Sequence, residues 1–120
     1  MITTLLALSL HLNAAMIKVE AIPAEPELTL REKMAATEPL VRSATSCIVR
    51  AVTTDPRYVE KQMPLGDLIV ASMPTCVAPM RAMIDAYDHY YGDGTGEAFF
   101  MGPYLDVLPK AIVEGAKKTP

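Results

Sequence analysis

Six of the chain's seven aromatic side chains and four of its six glycines fall between Tyr87 and Tyr104. No other stretch of the 120 residues concentrates side chains with chemistry in this way. The candidate site residues are Asp88, His89, Tyr90, Tyr91, Asp93, Glu97, Phe99, Phe100 and Tyr104. Aromatic anchors beside small, conformationally free residues are typical of interface hot spots. The segment therefore reads as a glycine-hinged loop that presents Tyr90, Phe99, Phe100 and Tyr104 to a protein partner. The competing reading is that the same rings pack the last two helices onto the domain. Both readings hold if different rings take different roles.

Three kinds of chemistry are weighed against that segment. Asp88 and Asp93-Gly-Thr-Gly-Glu97 offer several oxygens in one turn, as a calcium loop does. Counting from Asp88, however, places Tyr90 and Gly92 at ligand positions and Phe99 where a bidentate Glu belongs, so an EF-hand is rejected. Asp93 instead suits a turn position that tolerates positive φ, and the glycines suit turn geometry. Met73, Met80 and Met83 with Cys76 and His89 would make a soft Cu(I) set if they converged. Their spacing along a helical stripe favours adaptable core filling. His89 lies within reach of Asp85 on one helix, which outlines an acid–base pair, but no motif sets a nucleophile beside it. No metal or cofactor is expected.

The elements that must position these residues read as helices. Thr29-Leu-Arg-Glu32 has the form of a capping box. Leu30, Met34, Val41, Ala44, Ile48 and Val52 then share one stripe, with Arg42, Ser46 and Arg50 facing elsewhere. Pro39 interrupts the run, so the pattern predicts a short helix followed by a longer one ending near Thr54. Asp55-Pro56 starts a short helical piece through Lys61, which Met63-Pro64-Leu65-Gly66 breaks. Asp67 is the expected cap of the next segment, where Leu68 to Ala71 reads as helix rather than strand. From Cys76 the stripe Val77, Met80, Ile84, Tyr87 and Tyr91 gives the clearest helix, capped at Gly92. A final helix runs through about Lys117. The fold predicted is all-α: a compact array of four to six short, proline-punctuated helices with one disulfide.

That disulfide joins the only cysteines, Cys47 and Cys76. Closing a loop of about 30 residues stabilises a small domain by roughly 3.5 kcal/mol on the chain-entropy model. The alternative is a pair of buried thiols in a cytosolic domain. Residues 1–21 form an uncharged apolar run before Lys18 and read as a signal peptide or N-terminal apolar leader, followed by a linker over 22–28 and one helical domain over 29–120. No Lys or Arg precedes the apolar run and His11 interrupts it, so a retained anchor or a buried first helix are the other readings. A periplasmic or secreted location is expected, with no stable membrane span after processing.

Composition narrows the function. Apolar residues make up 51% and charged residues 21%, which is globular rather than disordered. A net charge of -3 without basic blocks leaves no footprint for nucleic acid. The plan of leader, compact helices, disulfide and proline-rich helical tail is similar to that of small periplasmic immunity or inhibitor proteins, which cap a partner. The likeness is one of architecture and assigns no residue. The expectation is a non-enzymatic protein that binds a protein partner in the cell envelope. The alternatives are a small-ligand or metal carrier with a Met- and aromatic-lined pocket, and a small hydrolase centred on His89.

Overall fold

A computed structural model describes residues 27–118, so the leader and most of the linker lie outside the described residues. The order is α1 (Leu30–Thr53), α2 (Pro56–Val59), α3 (Leu65–Ser72), a 3₁₀ turn (Met73–Cys76), α4 (Val77–Tyr91), α5 (Thr95–Phe99), a π-helical turn (Phe100–Tyr104) and α6 (Leu105–Lys117). No strand occurs among the described residues. The predicted all-helical array closed by a disulfide is the observed architecture: Cys47 and Cys76 are bonded, with Cα atoms 5.8 Å apart.

Helix α1 begins as its sequence dictates. The Thr29 hydroxyl accepts from the Glu32 amide at 3.2 Å, and the Glu32 carboxylate accepts from the Thr29 amide at 3.0 Å. Two orphan donors are thereby satisfied. The helix then continues through Pro39 for 24 residues, where two helices were expected. A proline removes one intrahelical bond, and here packing on both sides of it outweighs that loss. Thr37 is buried two residues before Pro39, while Ala44, Ile48 and Val52 are buried beyond it. The Glu38–Arg42 ion pair, 2.9 Å long and exposed, spans the proline on the outer face.

The core is built around α1. Ala44, Ile48 and Val52 meet Leu68 and Ile69 of α3, Met80 and Met83 of α4, and Leu108 and Ile112 of α6. α4 runs antiparallel to α1: Tyr91 lies by Lys33, Tyr87 by Thr37, and Cys76 is bonded to Cys47. The run Leu65–Tyr91, which holds an 18-residue window of mean hydropathy 1.2, is long and apolar enough to cross a membrane by length and composition alone. Its side chains Leu68, Ile69, Met80 and Met83 sit in the core cluster, and one third of that window is buried.

Several local expectations are corrected. Leu30 and Met34 share the angular stripe of the core but are 66% and 55% exposed, because α4 ends alongside Lys33 and leaves the first turns of α1 uncovered. Val77, expected on the buried stripe of α4, is also exposed. Asp67 lies inside the first turn of α3, whose N-cap is Pro64. There its carboxylate faces the positive end of the helix. Lys61, after α2, takes the left-handed conformation (φ 55) that ends the short helix.

Candidate functional site

The aromatic segment is a corner between two helices. α4 stops at Tyr91 because Gly92 (φ 116) and Gly94 (φ 88) adopt backbone conformations that side chains resist, and Asp93 between them does not. Asp93 was the residue expected to tolerate positive φ, and the flanking glycines take that role instead. The Asp88 carboxylate then reaches forward, its Oδ1 accepting from the amides of Gly94 at 3.1 Å and Gly96 at 2.8 Å. The Thr95 hydroxyl has the carbonyls of Tyr87 at 2.9 Å and Gly92 at 2.7 Å within reach. Gly96 is buried, and a Cβ there would collide with the carbonyl of Ile84. α5 thus lies directly on the backbone of α4. What reads in sequence as a hinge is a locked turn.

The rings on this corner divide into two sets. Tyr104 is 1% exposed and belongs to the core, so its assignment as a recognition anchor is withdrawn. Its hydroxyl lies 3.0 Å from that of Thr45. Burial pushes its phenol above the ordinary value. The other rings are half-buried. Tyr87 stacks on Phe99 with centroids 4.1 Å apart and planes 8° from parallel. Phe99 and Phe100 both approach Tyr104, at 5.7 and 5.9 Å. Tyr91 lies 5.1 Å from Tyr87 and beneath the Lys33 ammonium at 5.9 Å. Burial, and secondarily the neighbouring Tyr91, raise the Tyr87 phenol.

The outer edge of the corner is polar and accessible. His89 is exposed and meets Tyr90 edge to face at 4.8 Å. Asp93, Glu97 and Met101, later in the same segment, are also exposed. Among the described residues neither His89 nor Asp85, its expected partner, makes a side-chain hydrogen bond or ion pair, and the adjacent Asp88 points into the turn. The structure therefore does not assemble the acid–base pair sketched from sequence. The soft-metal set is not assembled either. Cys76 is in the disulfide, Met83 is fully enclosed, and no group of three His, Cys, Asp or Glu side chains converges among the described residues.

A second concave feature went unread in the sequence. A groove of about 600 Å³ runs along the seam of α1 and α6, floored by Val41, Val49 and Ala111 and edged by Arg42, Arg50, Glu114 and Lys118. Its signal was the pair of small residues Ala111 and Gly115, one turn apart on α6. Gly115 packs so closely on Val49 that a Cβ would strike that side chain. Comparison of the chain with protein families, curated proteins and solved structures finds no match.

Proposed function

We propose that this protein is a non-enzymatic binding protein of the cell envelope, periplasmic or secreted, which contacts a protein partner through the outer edge of the corner from Tyr87 to Met101. The observation that carries the reading is the arrangement of half-buried rings, Tyr90, Tyr91, Phe99 and Phe100, on a turn fixed by the two hydrogen bonds to Asp88. Rings ordered before contact lose little entropy on binding, which is what makes aromatic side chains effective anchors. Exposed Met101 and His89 extend the patch with an adaptable apolar group and a polar tip. The disulfide supports an oxidising compartment.

Photo-crosslinking in producing cells tests this reading. A photoreactive residue in place of His89 or Met101 should capture one discrete partner, whereas the same residue at Glu60 or Lys110, both exposed and away from the corner in sequence, should not. Equal capture from all four positions would remove the corner as the contact surface. With the partner in hand, Tyr90→Ala should weaken binding by roughly 1 to 3 kcal/mol while stability falls less.

A further inference from the structure

We infer that the α1–α6 seam is a separate binding groove for a free amphipathic carboxylate of the fatty-acid class, with its chain along the floor and its headgroup at the Arg50 and Lys118 end. Shape is the first argument. The α1 residues lining the groove run from Val41 to Thr54, a distance of about 20 Å at the rise of an α-helix. A long seam of about 600 Å³ with Val41, Val49 and Ala111 at its base fits an extended chain better than a compact ring.

Hydrogen-bonding capacity is the second argument. The hydroxyls of Thr45, Thr53 and Thr54 all line the groove, yet each donates at 2.7 Å to a carbonyl of its own helix, those of Val41, Val49 and Arg50. Their protons are committed internally, so they offer an occupant no donor. The donors that remain are the Ser46 hydroxyl and the cationic side chains.

Charge gives the groove a direction. Arg42, at the Val41 end, is paired with Glu38 at 2.9 Å. Arg50 and Lys118 have no ion pair among the described residues, and both are exposed at the end where α6 finishes. Glu114, one turn before Lys118, is the single carboxylate of the lining among the described residues. Among the described residues, a protein of net charge -3 thus sets two cations without an ion pair against one carboxylate at one end of an apolar channel. That asymmetry matches one anionic headgroup on one hydrocarbon chain.

Titration calorimetry and amide-shift mapping on the whole protein test the inference, using dodecanoate below its micelle concentration. One molecule should bind saturably, with shifts along α1 and α6. Arg50→Gln combined with Lys118→Gln should weaken binding at least about tenfold, since each charge-assisted hydrogen bond contributes more than a neutral one. Ser46→Trp, at an exposed lining position, should block the groove with an unchanged melting curve. Dodecyltrimethylammonium, with the same tail, and acetate, with the same headgroup, should not bind saturably. Uptake of the cationic detergent within threefold of dodecanoate, or binding to the double variant within twofold of the parent, would overturn the assignment. So would shifts confined to the aromatic corner, capture of an acidic peptide without uptake of dodecanoate, or dimerisation through the seam that dodecanoate does not reverse.

Discussion

Tyr104 and Thr45, 59 residues apart, meet hydroxyl to hydroxyl at 3.0 Å and join the start of α6 to the middle of α1. Thr45 gives its own proton to the Val41 carbonyl at 2.7 Å, so the phenol is the donor of the pair. Removing only the hydroxyl, in Tyr104→Phe, should cost about 1 kcal/mol of folding free energy. Removing the ring, in Tyr104→Ala, should cost about 3 to 5 kcal/mol, because the site is closed on all sides. Urea denaturation of both variants checks this. A Tyr104→Ala protein of parental stability would return the ring to the list of surface anchors.

The Asp88 side chain does for α5 what an N-cap residue does, from the preceding helix. Asp88→Ala strips the acceptor from the Gly94 and Gly96 amides and should destabilise the domain by about 1 kcal/mol, within the 0.5 to 2 found for caps. Asp88→Asn keeps an acceptor oxygen and should recover much of the loss. Because the cap orders the corner, the alanine variant should also bind the partner more weakly, and hydrogen exchange at Gly94 and Gly96 should accelerate. Unchanged exchange there would show that the turn holds without Asp88.

Two glycines offer opposite outcomes from the same substitution. Gly66 is exposed within α3 and has open space where a Cβ would lie, so Gly66→Ala should stabilise by roughly 0.5 to 1 kcal/mol through the reduced freedom of the unfolded chain. Gly96→Ala would drive a methyl group into the Ile84 backbone, and α5 would have to lift from α4. The expected loss is about 1 to 3 kcal/mol or more, the range of overpacking. Thermal melts of the two variants should move in opposite directions.

Fold class was legible because its signals are local and agree with one another. The Thr29–Glu32 capping box, the α4 stripe ending at Gly92 and the helix ending near Lys117 each appear where the pattern places them. Pro39 misled because proline propensity is a local term, whereas the continuity of α1 is decided by side chains buried before and after it. Periodicity likewise placed Leu30 and Met34 on the core stripe, but it carries no information on where the partner helix stops. In the candidate site, residue type showed the cluster and could not divide it. Only tertiary contacts separate Tyr104, closed over by Thr45, from Tyr90 on the rim. The α1–α6 seam was invisible for the same reason, since Arg42, Ser46 and Arg50 read as an ordinary wet face until α6 is laid beside it.

Reduction isolates the contribution of the cross-link. Cys47 and Cys76 are 29 residues apart, and opening a loop of that size should remove about 3.5 kcal/mol. At about 4 to 8 °C per kcal/mol for a domain this small, the melting temperature should fall by roughly 14 to 28 °C in reductant. Protein taken from its native compartment and alkylated without reductant should carry no modified cysteine. Two alkylated thiols would remove the support for an oxidising compartment.

Alkaline pH should unfold this protein through two particular tyrosines. Tyr87 and Tyr104 both have phenols raised above the ordinary value of 10.0, in each case chiefly by burial. In the unfolded chain these groups lose their protons near pH 10, whereas in the folded domain they hold them to higher pH. Between those two values the folded state binds more protons than the unfolded one, so the slope of stability against pH is negative. The associated stability is therefore fully present below pH 10 and lost as pH rises through the folded-state values. Urea midpoints measured from pH 8 to 12 should be flat at first and then decline. Tyr104→Phe removes one titrating group, so its decline should be shallower than the parent's even though the variant starts from lower stability. The absorbance change of phenolate formation should include a late component that this variant loses. A variant whose decline matches the parent's in slope and position would show that Tyr104 does not couple folding to pH.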